Sequence, residues 1–420
     1  CRPAVCETVR IVEEPVLTAT PTEIDLCVNS INDGSGDVST MDVQFDLEAM
    51  PNITLEAGET LRYRIRNLGL DTEIDDPNIP SANVNAMPAA DANGLTTILN
   101  PGDNQLVTIT DDITIANPEN LLEPVTITYA IFPIHRFADG SRCEGQDIQV
   151  TVTIQPEPIL TATPTMQELC ANDIVNTDGT DLSTTDVQFT LEAMPNIALQ
   201  TGEQLRYRIR NQGLGMMPSM IDNPNAGITV TGMPVADPDG FTVILNPGDN
   251  QQVVIEDDIQ ITGDLSNFTQ PINIQYAIFP RHRFADGTFC DGDDIIVTAT
   301  IAPPVLVDAG TPQTICSTKK LLLADLNASI MQGGQPLSGT WTIQENDSDG
   351  MFLDDQMQPL DDADFEQAIY FMPSDADAER GFVTLILTSD ANAPCDPVSD
   401  EVEITVLKVD CGNFPWTGNE

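Results

Sequence analysis

The sequence predicts an all-β chain, three tandem β-sandwich domains forming an elongated rod. Three observations predict it. Residues 129–154, Y-A-I-F-P-I-H-R-F-A-D-G-S-R-C-E-G-Q-D-I-Q-V-T-V-T-I, return almost letter for letter at 276–301. Apolar and polar residues alternate with period two through most of the chain, the mark of strands with one buried face. The nine cysteines are spread so that each third of the chain carries one near its start and one near its end.

The duplication covers 16–156 and 159–303. L-T-A-T-P-T occurs at Leu17 and Leu160, L-E-A-M-P-N-I at Leu47 and Leu191, L-R-Y-R-I-R-N at Leu61 and Leu205. The second copy is longer by four residues, gained around 215–227, where a turn tolerates insertion. Within a copy, Val43, Phe45 and Leu47 alternate with Gln44, Asp46 and Glu48; Leu61, Tyr63 and Ile65 alternate with Arg62, Arg64 and Arg66. Val125, Ile127 and Tyr129 oppose Thr126 and Thr128. Turns fall at Asp33-Gly34, Asn93-Gly94, Pro101-Gly102 and Asp139-Gly140. About seven short strands with one wet face describe an Ig-like sandwich. Gln155-Pro156-Glu157-Pro158 and Ala302-Pro303-Pro304 end sheet pairing and stiffen the joints. In the last third, Leu322, Ala324, Leu326, Ala328 and Ile330 keep strand parity, although K-K-L-L-L-A-D-L also suits a helix start; strand is the reading preferred. The domain plan is therefore a strand remnant of an earlier domain at 1–14, repeats at 15–156 and 157–303, a divergent domain at 304–410, and a tail at 411–420.

Hydrophobic residues make up 41% of the chain, enough for packed cores, and 420 residues exceed a single core. Against 66 acidic residues stand 16 basic ones, a formal charge of −50. That field repels nucleic acid and anionic membranes and attracts divalent cations. No apolar run reaches membrane-spanning length. The cysteines lack the close spacing of a metal site, so they read as disulfides in an oxidising compartment. One bridge per domain is expected: Cys27–Cys143, Cys170–Cys290 and Cys316–Cys395. Closing loops of this size contributes on the order of 4–5 kcal/mol each in the chain-entropy model. Cys1, Cys6 and Cys411 are left over.

Y-A-I-F-P, D-G-x-x-C-x-G-x-D-I-x-V-T-x-T-I and P-x-P together resemble the PKD/Ig-like repeats of very large Bacteroidota surface proteins. V-D-A-G-T-P-Q-T-I-C, G-T-W-T-I, D-G-M-F, M-P-S-D-A-D and G-F-V-T-L-I-L-T resemble, in order over 305–407, a repeat of gliding-motility adhesins and other type IX-secreted giants. The resemblance implies a secreted, cell-surface adhesin or filament segment, with predatory grappling hooks among the filaments built this way. It also implies that Trp341 is a core residue.

For catalysis, His135 and His282 stand alone in equivalent F-P-x-H-R-F motifs, and no nucleophile elbow, zinc motif or phosphate loop occurs. A structural role in a hairpin is the expectation, and no enzyme is predicted. Ten of the sixteen basic residues fall in two motifs per repeat. Arg62, Arg64 and Arg66, with Arg206, Arg208 and Arg210, form stripes that either pair with carboxylates such as Asp46 and Glu48 across the sheet or dock on an acidic face of another copy. Candidate calcium ligands are Asp33 and Asp37, Asp178 and Asp181, Asp291 with Asp293 and Asp294, and Asp347, Asp349, Asp354 and Asp355; solvated turns are the plainer reading. No cofactor is required, Ca2+ being the one candidate. The expected role is lateral assembly into a homo-oligomeric filament that mediates attachment. The alternative is a monomeric stalk whose inserts at 71–93 and 213–233 bind a glycan or protein.

Overall fold

The computed structural model describes residues 11–31, 41–50, 53–66, 73–75, 77, 83–86, 94–176, 179–194, 198–210, 219–234, 240–344, 349–365 and 367–408. Cys1, Cys6, Cys411, Asp33, Asp37, Asp178, Asp347, much of both inserts and the 411–420 tail lie outside the described residues.

Repeat 1 runs β1 (Val16–Thr20), β2 (Glu23–Cys27), α1 (Val28–Ile31), β3 (Val43–Met50), β4 (Thr60–Arg66), β5 (Glu73–Asp75), β6 (Asn83–Asn85), β7 (Leu95–Leu99), β8 (Val107–Asp111), β9 (Thr114–Ala116), β10 (Val125–Arg136), β11 (Arg142–Glu144) and β12 (Ile148–Gln155). One sheet is β1-β3-β8; the other is β2-β12-β10-β4-β7, with β5 and β11 also paired to β10. Pro21 supplies no ladder donor, so β1 stops there and the chain re-enters on the opposite sheet as β2, parallel to β12. The alternation read from the sequence decides what is inside: Val43, Phe45, Leu47, Leu61, Tyr63, Ile65, Val125, Ile127 and Tyr129 are all buried. Buried hydroxyls are satisfied, Tyr129 donating to Asp111 and Tyr63 to the Gln105 carbonyl.

Repeat 2 repeats this order as β13 (Ile159–Thr163), β14 (Met166–Cys170), α2 (Ala171–Ile174), β15 (Val187–Met194), β16 (Gln204–Ile209), β17 (Met220–Asp222), β18 (Thr229–Thr231), β19 (Phe241–Leu245), β20 (Val253–Asp257), β21 (Gln260–Thr262), β22 (Ile272–Arg283), β23 (Phe289–Asp291) and β24 (Ile295–Ala302). Its sheets are β13-β15-β20 and β14-β24-β22-β16-β19, with β17 and β23 on β22. Each repeat carries more strands than the seven expected. The inserts add β5 and β17 to the larger sheet and β6 and β18 as partners of β9 and β21.

The expectation of one wet face fails on the long strands. Ala130, Phe132 and Ile134 point away from the core yet are buried; Leu95 packs with Phe132 and Ile134, and Arg64 lies over the Phe132 ring. The third domain has a five-stranded sheet in the order Gln313–Cys316, Ser399–Leu407, Phe382–Ser389, Gly339–Ile343, Ala363–Asp364, with Trp341 buried in its core. The parity read over 322–330 does not hold. A 3-10 turn at Leu323–Leu326 separates Leu321–Leu322 from Ser329–Gln332 and buries Leu323 and Leu326 together, while Asn327 takes a left-handed φ of 57°. A three-residue period puts those two leucines on one side, which alternation cannot do.

Candidate functional site: stapled joints and an arginine face

In repeat 1, Cys27 closes β2 opposite Gln155, at the end of the sheet where β10 begins at Val125. Cys143 sits on β11 opposite His135, ten positions further along the same strand. At about 3.3 Å per residue these two cysteines are on the order of 30 Å apart, far beyond the roughly 7 Å span of a disulfide. The intradomain bridges expected from the sequence are therefore not formed. Cys27 bonds instead to Cys290 of repeat 2, and Cys170 to Cys395 of the third domain, each with a Cα separation of 4.9 Å. Cys143 is a free thiol. Cys316 is also disulfide-bonded. The physical reason is end-to-end stacking: the strand-end cysteine of one unit faces the closing-hairpin cysteine of the next. Sequence spacing carries the pairing of start and end but not which end of the sandwich each occupies.

At the joint between the repeats, Cys27 and Cys290 are buried with Phe284, and the Asn29 side chain donates to the Asp291 carbonyl at 3.1 Å. Pro158 crosses the hairpin so closely that a Cβ on Gly292 would lie 1.8 Å from its carbonyl oxygen. The C-x-G of the motif thus needs glycine for passage of the linker. Around the staple the contact is open and acidic. A cleft of about 650 Å³ lies between β2 and β12 of repeat 1 and Gln200, Glu203 and His282 of repeat 2; another of about 710 Å³ runs beside Asn29, Glu157 and Asp293. Burial, then the facing Glu203, raises the pKa of Asp25, and burial followed by Asp293 raises that of Glu157. The next joint is closed by backbone caps. Asn172 donates to the Val305 carbonyl at 3.1 Å and accepts from the Val305 amide at 2.7 Å, while Gln332 donates to the Pro303 carbonyl at 3.0 Å.

The arginine stripes do not face Asp46 and Glu48, which lie on β3 in the other sheet. Arg62 and Arg64 stand beside Ile98, Leu95, Ile134 and Phe132 on the strands flanking β4. The sequence signal for this second apolar face was the unbroken run Y-A-I-F-P-I, apolar at both parities. In repeat 2 the guanidiniums of Arg206, Arg210 and Arg281 lie 5.0, 4.3 and 3.9 Å from the ring centroids of Phe241, Phe279 and Phe289. Arg281 is bidentate to Asp291 (2.5 and 2.7 Å) and Arg210 pairs with Asp294 at 2.7 Å. Among the described residues, the Nε atoms of Arg64 and Arg208 are buried without a hydrogen-bond partner. In repeat 1, Arg62, Arg64, Arg136 and Arg142 line a hollow of about 410 Å³. Nothing is described of the Arg66 side chain.

Each histidine is held by a buried glutamate of its own repeat, His135 by Glu59 and His282 by Glu203, both at 3.2 Å. Burial lowers the His282 pKa against the pull of Glu203. The described candidate calcium ligands do not converge. Asp181 accepts from the Ser183 amide, Asp354 from the Gln358 amide, and Asp291 and Asp294 are engaged by arginines, while Asp349 and Asp355 are exposed. Among the described residues no group of three or more His, Cys, Asp or Glu could hold a metal ion, and no helix is long and apolar enough to cross a membrane.

No family model matches the chain, and no curated protein matches it. Among solved structures it is similar to three N-terminal domains of the bacteriophage RB49 highly immunogenic outer capsid protein, at 11% identity and a TM-score of 0.25, over 94% of this chain and 99% of that one. It is also similar to mouse protocadherin-24 EC1-3 (10% identity, TM-score 0.28, 97% and 100% covered) and to the D00-D0 domain of intimin (12%, 0.23, 67% and 99%). Scores this low add nothing to the Ig-like sandwich architecture that the sheets themselves display.

Proposed function

We propose that this chain is a structural and adhesive segment of a secreted, cell-surface multidomain filament, one that assembles laterally with copies of itself and mediates attachment. The observation that carries this reading is the pair of disulfides in series across successive joints. A tension applied to the two ends passes from Cys27 directly to Cys290, so the 263 residues of separation between them cannot be drawn out while the bridge lasts. Such a device suits a load-bearing protein outside the cytoplasm, where disulfides persist. Lateral assembly draws on charge: four arginines line one hollow on a chain of net charge −50, a match for an acidic face of another copy. The load path runs through the bridges, and screening of the acidic surface is a role open to divalent cations.

Electron microscopy of native material, together with charge reversal at Arg62, Arg64 and Arg66 to Glu, tests the reading. Regular multi-chain fibres that fall apart in the variant are expected. Single thin stalks, unaffected by the variant, would instead support a monomeric adhesin whose inserts bind a glycan or protein. That second reading draws on the extra strands β5, β6, β17 and β18, which anchor both inserts at fixed places on the repeats.

A further inference from the structure

Two staples obey one rule: the cysteine ending the parallel edge strand of a unit bonds to the closing-hairpin cysteine of the unit after it. Cys27 and Cys170 are the first kind, paired in register with Gln155 and Ala302 of their own sheets. Cys290 is the second kind within the repeats, opposite His282. Cys143, opposite His135, holds the same position in repeat 1 and is free.

The surroundings of Cys143 match those of Cys290 in every part that receives a staple. The hairpin is closed in both by the same backbone bond, Phe137 to Ser141 and Phe284 to Thr288, at 2.8 Å. Asp139 and Asp286 cap the two turns alike through Ser141 and Thr288. The His–Glu pair beneath is present at 3.2 Å in each. The incoming linker also takes one path, for a Cβ on Gly145 would lie 1.9 Å from the Pro15 oxygen, as one on Gly292 would lie 1.8 Å from that of Pro158. Ile134 and Arg142 stand where repeat 2 has Arg281 and Phe289, and burial differs as well. Phe284 and Cys290 are buried beside Cys27 of the preceding unit, whereas Phe137 and Cys143 stay partly exposed.

We propose that Cys143 is the receiving half of a third staple: it bonds to the strand-end cysteine of a further sandwich unit of this build, seated on repeat 1 as repeat 1 is seated on repeat 2. The occupant is specified by chemistry, a parallel edge strand ending in cysteine and followed by a one-turn helix bearing an asparagine two residues on, as in Cys27 and Asn29. Two thiols join as one disulfide, and their two electrons and two protons pass to a disulfide-class oxidant such as glutathione disulfide. The inference does not depend on lateral assembly.

The test places a copy of residues 15–156, carrying Cys143→Ser, in frame ahead of Pro15 of the full chain. After oxidation with glutathione disulfide, non-reducing peptide mapping should join native Cys143 to the Cys27 of the added copy, with loss of native-state maleimide labelling at Cys143. Full labelling in an extended chain whose Cys27–Cys290 and Cys170–Cys395 bridges are intact would overturn the proposal. A second measurement is independent of how the added copy folds. In the unextended native chain, maleimide should label Cys143 and spare Cys290; finding Cys143 already bonded to Cys1, Cys6 or any other cysteine of the chain would equally overturn it.

Discussion

The two joints share a sulfur bridge and little else. Between the repeats, the bridge is flanked by two clefts and by carboxylates that face one another, Asp25 toward Glu203 and Glu157 toward Asp293. Between repeat 2 and the third domain, Asn172 closes both the amide and the carbonyl of Val305, and Gly333 lies close under Thr269. Half-buried like charges oppose docking, whereas satisfied backbone groups favour it. The first joint therefore leans more on its covalent link, with the Asn29–Asp291 hydrogen bond beside it, while the second caps both backbone groups of Val305. A charge of −50 makes this instructive: a chain so acidic can hold neighbouring units together with sulfur where electrostatics works against it.

The largest expected effect comes from pulling. Reduction of the intact chain should lengthen its stretched contour by at least about 900 Å, since residues separated by 263 positions become extensible at about 3.5 Å each and opening the Cys316 bridge adds to that length. Single-molecule force spectroscopy with and without reductant measures it, and Cys143→Ser should leave the gain unchanged. Next in size is the crowding of the linker. Gly292→Ala forces a methyl into the Pro158 carbonyl and should cost about 1–3 kcal/mol, seen as a lower Tm. Gly333→Ala meets Thr269 less closely, at 2.9 Å, but at a φ of 57°, and should cost about 1 kcal/mol, the smaller change of the two.

A pH effect sharpens the contrast further. The Asp25 and Glu157 values are raised in the docked state, so their contribution to docking is fully present below the ordinary carboxylate range and is lost as pH rises through the raised values. In a Cys27→Ser chain, the repeats should separate near neutral pH and close up on acidification, by small-angle scattering and by protection of the 155–158 linker from proteolysis. His282 works the other way inside repeat 2. Its lowered value means that stability is present above the ordinary histidine pKa and declines as pH falls below about 6.5, so melting and docking should respond with opposite sign. Smallest of all, EDTA should leave Tm unchanged, because among the described residues no group of three or more His, Cys, Asp or Glu could hold a metal ion.

Alternation made the sandwich legible: Leu61, Tyr63 and Ile65 went inward as their spacing requires, and the duplicated segment fixed the correspondence of the repeats. What alternation could not carry was the second apolar face, where Arg208 and Arg210 lie over Phe279 on the outside of the sheet. Long-range sulfur pairing was beyond it for a different reason. Cys27 and Cys143 look like partners by position in the repeat, yet β10 separates them by its length, and only the stacking of successive units brings Cys27 to Cys290. Leu321–Leu322 and the 3-10 turn after them show the remaining weakness, since a run of leucines fits period two and period three alike.

Disulfide mapping of the native, alkylated chain under non-reducing conditions is the most direct examination of bridges that run between units. Peptides joining Cys27 to Cys290 and Cys170 to Cys395, with Cys143 alkylated, are the expected result. Peptides joining Cys27 to Cys143 and Cys170 to Cys290 would contradict it.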